Sequence, residues 1–217
     1  MKFEETIRDI FSLKFETQHQ TAYTLLRFQE HYESPKFRGK TFTLDEFKRW
    51  YTKTSPDGKK TGKFTYCTDW EGFNLPSHVF TTFFEGRFNP LSREEKTILS
   101  LIRDKMDRKF YVIASFKKNK DGTLKHEIAH GLYYLDKEYR KQARKIINQI
   151  GKKQRNRISK YLLRKGYAQE VLEDETHAYI LTDLEDIMNV ARDKEAVAEA
   201  NKKLQRNYER AYAARKI

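Results

Sequence analysis

Residues 110–130 have the sequence FYVIASFKKNKDGTLKHEIAH, and this stretch decides the expected fold class. Its first seven residues, 110–116, are rich in aromatic and β-branched side chains, which favours a β-strand. A polar turn is predicted over 117–122, where Lys, Asn, Asp and Gly are concentrated. From Leu124 onwards apolar residues recur at helical spacing, with Thr123 as the predicted N-cap. A strand is therefore expected to lead through one turn into a helix.

Helical spacing dominates the regions on both sides of this stretch. After it, we expect helices over 124–150, 153–165, 171–190 with a break near Asp183, and 194–215. Before it, the patterns predict helices over 3–11, 23–32, 43–51 and 92–106, a turn at 55–58, a strand at 63–68 and an ordered loop at 69–76. The expected fold is α+β, helix-dominated with a small sheet. We expect one compact domain overall, with residues 1–107 as an N-terminal part and residues 108–217 as the part that carries the chemistry.

The start of the helix at 124–150 contains the pattern His-Glu-x-x-His at residues 126–130. Four residues of an α-helix rotate by about 400°, so His126 and His130 project from nearly the same face and can hold one metal ion. Glu127 is turned by about 100° from His126, where its carboxylate can accept a proton from a water on the ion. Five residues thus place two metal ligands and a general base.

A catalytic zinc ion needs a third protein ligand and one open position for water. Asp136 could serve only if the helix broke after the histidine pair, and in the uninterrupted helix that we expect it points away. Glu175 is favoured because it offers a carboxylate from a second helix, which the small Ala178 allows to approach closely. His177 points to the other side of that helix and is the alternative ligand if the helix is rotated.

Two features of the expected site stay open at the level of sequence. Tyr179 lies one helical turn after Glu175, and we expect it to pack, although its hydroxyl could also hydrogen-bond the oxyanion of a tetrahedral intermediate. Two imidazoles and one carboxylate can also bind Fe(II), so the spacing alone does not select zinc.

Two segments together resemble the zincin metallopeptidases of the gluzincin type. They are residues 126–130 and the sequence Glu-Thr-His-Ala-Tyr at 175–179. The resemblance implies a Zn²⁺ ion on His126, His130 and Glu175, with Glu127 as general base and acid in the hydrolysis of a peptide bond. It also implies that the strand at 110–116 is a sheet edge that binds an extended protein or peptide substrate by strand addition.

The positive charge of the chain is concentrated in one segment. The chain has 44 Lys and Arg against 31 Asp and Glu, a net charge of +13, and residues 137–165 hold twelve of the basic residues with one acid. Seven acids and no Lys or Arg follow at 170–186. We expect a solvated helical face, partly paired with these acids. The alternative is a protein that binds nucleic acid or an acidic partner through residues 137–165, with a structural or vestigial metal site.

Composition excludes several other classes of protein. The single cysteine, Cys67, cannot form an internal disulfide, which excludes a disulfide-stapled secreted scaffold. Aromatic residues make up 14% of the chain, too many for a disordered polycation. The apolar run at 110–116 is far shorter than the roughly 20 residues that a spanning helix needs, and the N-terminus lacks the apolar region of a secretory signal. We therefore expect a soluble cytoplasmic protein without a membrane span.

Overall fold

A computed structural model describes residues 1–117 and 122–217 of the chain. The protein is 66% helical with a small four-stranded mixed sheet, which confirms the predicted α+β class. Most of the polar turn predicted at 117–122 lies outside the described residues.

Four strands form the sheet, in the order β1-β2-β4-β3. The strands are β1 (Lys2–Ile7), β2 (Ile10–Phe15), β3 (Phe73–Pro76) and β4 (Tyr111–Phe116). Strand β4 runs parallel to β2 and antiparallel to β3. The predicted strand at 110–116 is therefore confirmed as β4, but the expectation that it is a sheet edge is wrong. Because Tyr111–Ala114 of β4 have a neighbouring strand on each side, their backbone groups are already paired and cannot receive a substrate strand.

The helices of the described residues are mostly short, and the longest is the last. Their bounds are α1 (Gln18–Glu33), α2 (Leu44–Thr54), α3 (Pro56–Thr61), α4 (Tyr66–Asp69), α5 (Thr81–Phe84), α6 (Arg93–Ile102), α7 (Thr123–Leu135), α8 (Lys137–Gln149), α9 (Lys152–Lys165), α10 (Leu172–Thr182), α11 (Leu184–Val190) and α12 (Lys194–Arg215). The helices α1, α2, α6 and α9 to α12, with the predicted break at Asp183, confirm those expected from the sequence.

Alternating side chains of the strands divide the core between the two faces of the sheet. Val112 and Ala114 of β4 belong to an aromatic-rich cluster with residues of α1, α2 and α6. Tyr111 and Ile113 of the same strand belong to a second cluster with residues of α7, α8, α10 and α12. Helix α7 lies so close to this second face that a Cβ at Gly131 would be 2.6 Å from Ile10 Cδ1. The sheet therefore fixes the position of α7 directly.

The predicted first helix, residues 3–11, is wrong, because this segment forms the hairpin of β1 and β2. The turn between the strands includes Asp9 at a positive φ of 66°. Ile7 and Ile10 are directly paired across the hairpin. Their separation of three residues, which also suits a helix, is the spacing of a cross-strand pair at a tight turn.

Residues 55–76 also differ from the prediction. The turn at 55–58 is the start of α3, where the Ser55 side chain accepts a hydrogen bond from the Gly58 N–H and Pro56 occupies the first turn. The predicted strand at 63–68 is wrong: Phe64 and Tyr66 alternate, but their rings pack on α2 and the chain enters α4. The second half of the expected loop at 69–76 is strand β3.

The long helix expected over 124–150 is divided at Asp136 into α7 and α8. Asp136 Oδ1 accepts hydrogen bonds from the N–H groups of Glu138 and Tyr139, at 3.0 and 2.9 Å, and so caps α8. No helix in the described part of the chain combines the length and the apolar character that crossing a lipid bilayer requires.

Candidate metal centre

The first turns of α7 carry the three residues of the His-Glu-x-x-His pattern. The helix begins at Thr123, and the N-cap is Gly122 at φ 100°, a left-handed conformation that favours glycine. The predicted N-cap Thr123 is thus wrong by one position. Because α7 packs on the sheet, Glu127 and His130 are buried, with 6% and 2% of their surface exposed. His126, nearer the helix start, stays partly accessible.

Helix α10 lies against α7 and brings Glu175 to the two histidines. His130 Nε2 is 3.6 Å from Glu175 Oε1, and His126 Nε2 is 3.9 Å from Glu175 Oε2. The three ligand atoms all lie within 4.8 Å of one another. Tetrahedral zinc with bonds near 2.0 to 2.1 Å places its ligand atoms about 3.3 Å apart, so a small contraction is enough to close the set. His126, His130 and Glu175 could therefore hold a metal ion.

Buried polar atoms without partners mark the same place. Among the described residues, the atoms Glu127 Oε2, His130 Nε2 and Glu175 Oε2 are buried and accept or donate no hydrogen bond. A buried polar atom left unpaired is destabilising by about 1 to 3 kcal/mol, and such atoms are uncommon in folded proteins. A cation held by His130 and Glu175 would satisfy two of these atoms and leave Glu127 Oε2 beside it. The residues present therefore fit a bound metal ion.

The opposite nitrogen of each histidine is held by a hydroxyl or a carboxylate. His126 Nδ1 is 2.8 Å from Thr182 Oγ1 and 3.0 Å from Asp183 Oδ2, at the break between α10 and α11. His130 Nδ1 is 3.0 Å from Asp174 Oδ1. An Nδ1–H donated to a carboxylate leaves Nε2 as the free lone pair and fixes the ring orientation, as in many zinc sites. Sequence reasoning did not assign these partners, although Asp183 had been expected to break the helix.

Charges around the pair raise the pKa values of both imidazoles. Burial lowers the pKa of His126, but the hydrogen bond to Asp183 and the nearby carboxylate of Glu175 outweigh it and raise the pKa to about 9. Burial likewise opposes ionisation of His130, but the carboxylates of Asp174 and Glu175 raise its pKa well above the usual range. Burial also raises the pKa of Asp174, yet the neighbouring His130 lowers it to about 2. The surroundings thus favour positive charge where the ligand nitrogens lie.

Glu127 is held beside the ligand set by β3 and the residues before it. A Cβ added at Gly72 would lie 2.2 Å from Glu127 Oε1, so any other residue there would displace the carboxylate from its present position. Tyr111 donates a hydrogen bond of 2.6 Å to Asn74 Oδ1, and the Asn74 side chain in turn hydrogen-bonds Glu127. Burial raises the pKa of Glu127, which the two histidines and Asn74 partly offset. The segment at 69–76, expected only as an ordered loop, therefore positions the candidate base.

The other ligand candidates from the sequence lie elsewhere. His177 is fully buried behind Asp174, with its Nδ1 3.4 Å from Asp174 Oδ1 and its Nε2 2.6 Å from the Tyr139 hydroxyl. Asp136 caps α8, as described above. Tyr179 packs its ring against His126, at 5.3 Å between centroids, and its hydroxyl is 3.2 Å from that of Tyr167. These residues support the arrangement of the ligand set and do not join it.

The candidate centre opens into a cavity of about 300 Å³, here called the inner cavity. The inner cavity is lined by His126, Glu127, His130 and Glu175, and also by Glu30 and Glu33 of α1. Neither α1 residue was singled out in the sequence, because nothing in their local pattern distinguishes them from other glutamates of an amphipathic helix. Their place in the cavity depends on how α1 packs beside β3.

The basic segment at 137–165 lies on α8 and α9, and part of its charge is paired with the acids that follow, as expected. Arg144 forms an ion pair with Glu173, and Lys165 Nζ is 2.9 Å from Asp186 Oδ2. Arg140 donates to the carbonyl oxygen of Tyr133 at the end of α7. Other basic side chains of α8, among them Lys137, Lys141 and Lys145, are exposed.

No known protein family matches this chain, and comparison with curated proteins and with solved structures finds no match. The chemistry of the site is therefore the basis for assigning a function.

Proposed function

We propose that this protein is a zinc-dependent metallopeptidase that hydrolyses peptide bonds, with His126, His130 and Glu175 as metal ligands and Glu127 as general base. One observation carries the proposal. The unpartnered, buried Glu127 Oε2 lies on the wall of an open cavity together with the three convergent ligand side chains. A structural metal site does not need an unpaired carboxylate beside it, whereas a hydrolytic site does.

The donor set favours zinc. Two neutral imidazoles and one carboxylate are the three protein ligands of a well-known class of catalytic zinc sites, and they leave one coordination position open. Zinc, when bound, supplies a Lewis acid that lowers the pKa of a water and polarises the carbonyl of the scissile bond. Because Fe(II) accepts the same donors, the metal identity is part of the experiment below.

Glu127 performs the proton transfer in this proposal. Burial raises its pKa above the ordinary value of a glutamate, the direction that makes a carboxylate a stronger base. Its Oε2 accepts the proton of the attacking water and then delivers it to the nitrogen of the leaving amine. The Asn74 side chain interacts with this carboxylate, and the absence of a side chain at Gly72 leaves it room beside the ligand set.

The test combines metal analysis with one substitution. We expect about one zinc per chain by elemental mass spectrometry, and cleavage of a proteome-derived peptide library read by mass spectrometry. Glu127→Gln should keep the metal and lower the cleavage rate by about 10²- to 10⁴-fold, because it removes the proton acceptor without changing the ligands. Glu94→Gln, at an exposed position on α6, is the matched control.

Two results would contradict the peptidase proposal. One is a purified and zinc-supplemented protein that retains no metal. The other is a Glu127→Gln variant that cleaves the library as fast as the unaltered protein, since the activity would then come from a contaminant or another site.

A second candidate function rests on the exposed lysines of α8. Lys137, Lys141 and Lys145 line one strip of surface, at spacings of four residues. Such a strip can follow a nucleic-acid backbone or an acidic protein, and its binding should weaken steeply with salt. Arg140 and Arg144 are less suited to this role, because they bond Tyr133 and Glu173 within the protein.

Retention on immobilised heparin and on double-stranded DNA tests this second candidate. Charge reversal of the three lysines to Glu should abolish retention and flatten the salt dependence, while reversal of three lysines elsewhere, Lys59, Lys60 and Lys96, should have a smaller effect. Retention that is insensitive to salt would remove the candidate.

A further inference from the structure

The inner cavity extends from the candidate metal centre to the C-terminal turns of α1. Two glutamates of that helix, Glu30 and Glu33, lie on its wall, separated by about one helical turn. Glu30 is 9% exposed, and Glu33 is partly buried. The part of the cavity wall formed by α1 is therefore acidic, although the chain as a whole is strongly basic.

Both carboxylates interact with polar side chains, none of which carries a positive charge. Gln29 Nε2 donates to Glu33 Oε2 at 2.6 Å, and Gln29 Oε1 accepts from the Asn74 N–H of β3 at 3.3 Å. Glu30 receives hydrogen bonds from the side chains of Tyr66 and Ser34. Within residues 1–117 and 122–217, neither glutamate forms an ion pair with Lys, Arg or His.

A third acid near α1 provides the contrast. Glu95 is also buried, and it is paired with Arg27 of α1 in a two-pronged ion pair. Buried carboxylates normally have such a partner, because an isolated buried charge is strongly unfavourable. Burial raises the pKa of Glu30 to about 7, which is the consequence of a missing cation. The fold thus supplies the arginine for one acid and leaves the cavity acids without one.

Aromatic rings surround the space in front of these acids. Trp50, Tyr51, Tyr66 and Trp70 line the inner cavity between α1 and its opening. Aromatic faces attract cations and also pack well against the methylene stem of a Lys or Arg side chain. Lys165 lies at the rim, but its Nζ is held by Asp186 and lies over the Tyr179 ring.

The same cavity contains the unpartnered atoms of the metal centre. Glu127 Oε2 and Glu175 Oε2 are buried without hydrogen bonds on residues that line it. A group bound against Glu30 and Glu33 would therefore belong to a molecule that also reaches the reacting atoms.

We propose that the inner cavity selects substrates with a cationic group beside the scissile bond, bound by Glu33 and Glu30 against the aromatic wall. The group is the side chain of Lys or Arg, or a free amino terminus, since all three offer N–H donors with positive charge. The substrate class is thus a basic peptide. This inference rests on the proposed peptidase function and deepens it.

Equilibrium binding of blocked peptides tests the proposal without depending on turnover. The protein is the full chain carrying Glu127→Gln, measured once with zinc and once with a chelator. The probes are acetylated and amidated alanine-rich peptides that differ at one position, scanned along the peptide, as Lys, Arg, citrulline, norleucine or Glu. A further peptide with an unblocked amino terminus and no basic side chain separates the two sources of the cation.

Lys or Arg at one position, or the free amino terminus, should tighten binding by about 10- to 100-fold over norleucine and citrulline, as expected for charge-assisted hydrogen bonds in a partly buried site. Glu33→Gln should remove most of this preference, and Glu30→Gln should reduce it independently. Glu94→Gln should leave the preference intact. Because the charge preference is a ratio of two affinities in one variant, a general loss of affinity does not imitate the effect.

If neither Lys, Arg nor the free amino terminus binds more tightly than norleucine at any position, the inference is overturned, and so it is if the charge preference survives both glutamate substitutions. Failure of the peptidase proposal has a different signature: the charge preference would persist in the binding assay, with or without zinc, while no peptide is cleaved by the protein that retains Glu127.

Discussion

The two faces of the sheet bury polar groups differently. On the face that packs against α1, α2 and α6, here called the aromatic face, polar groups are paired. Glu95 binds Arg27, and Gln29 forms hydrogen bonds with both Glu33 and the Asn74 N–H. Three of the unpartnered buried atoms lie on the other side, where Glu127, His130 and Glu175 meet. Packing alone leaves few buried polar atoms without partners, so the convergence of three of them on one point is consistent with a group that could hold a metal ion.

A fourth unpartnered atom helps to calibrate this conclusion. Gln154 Nε2 on α9 is also buried without a partner, while the Oε1 of the same amide accepts from the Arg192 N–H at 3.1 Å. Gln154 Nε2 is thus one isolated donor, and the oxygen of the same amide already has a structural role. A single unpartnered atom of this kind does not indicate a function. Three unpartnered atoms on residues proposed as metal ligands or general base, all lining one cavity, support a functional site.

The aromatic face should be the part that determines stability. Phe83 is buried, stacks on Phe88 at a centroid distance of 4.0 Å and contacts the tilted ring of Phe28 at 4.1 Å. Phe83→Ala should lower the free energy of unfolding by about 3 to 5 kcal/mol in urea denaturation, with zinc stoichiometry unchanged. Phe84→Ala, at the more exposed neighbouring position, should have a clearly smaller effect. If Phe83→Ala lost metal binding while its stability was unchanged, the assignment of stability to the aromatic face and of metal binding to the other face would be contradicted.

The dependence of the free energy of unfolding on pH tests the comparison at Glu30, which lies on α1 and lines the inner cavity. Its pKa in the folded protein is about 7, above its ordinary value of 4.5, so the folded state binds more protons between these values. The free energy of unfolding should therefore fall by about 3 kcal/mol between pH 4.5 and pH 7 and then level off. The titratable groups that interact with Glu30 are Tyr66 and Tyr51, and burial raises both of their pKa values, so they stay neutral over this range.

The measurement is the difference between urea denaturation of the unaltered protein and of Glu30→Gln at pH 5 and pH 8. Taking this difference cancels the contributions of all other ionisable groups that the substitution leaves alone. A difference that does not change with pH would mean that Glu30 has found a cation in the folded protein.

Addition of zinc tests whether the face with the unpartnered buried atoms binds a metal ion. Free zinc at a hundredfold excess over its Kd should raise the free energy of unfolding by about 2.7 kcal/mol, because the ion binds the folded state. Glu175→Gln should lose this gain, and Glu170→Gln, exposed and close in sequence, should keep it. Equal stabilisation of the Glu175→Gln variant would place the ion elsewhere.

The smallest effect is expected for the partners that orient the histidines. Asp183→Asn should weaken zinc binding by about 10- to 100-fold in competition with a chromophoric chelator, because the imidazole of His126 loses a carboxylate acceptor. Glu185→Gln on α11 is the control, since its carboxylate contacts neither histidine. An unchanged affinity would show that Thr182, 2.8 Å from His126 Nδ1, is sufficient to hold the ring.

Local geometry explains how much of the site could be predicted. The positions of His126 and His130 follow from helix periodicity, and Glu175 follows from the need for a third ligand on another helix. The structure brings these three together. Asp174, Asn74 and Glu33 could not be found in this way, because their contacts with α7 depend on tertiary packing between segments far apart in the chain.

The errors in the fold prediction have related causes. Residues 3–11 have a spacing that suits both a helix and a hairpin, and only the pairing of β2 with β4 decides between them. The position of β4 inside the sheet depends on β3, which was not recognised because its four residues end in proline within a segment rich in turn formers. Helix α7 ends early because Asp136 competes for the backbone as a cap.

The separation of the ligands along the chain has a consequence for the whole molecule. An ion on His130 and Glu175 closes the loop 131–174, which contains both basic helices, α8 and α9. Cross-links that close long loops restrict the unfolded chain most. The single cysteine of this protein cannot provide such a link. The metal would then act in the manner of a disulfide, one that a chelator could open and free zinc could restore.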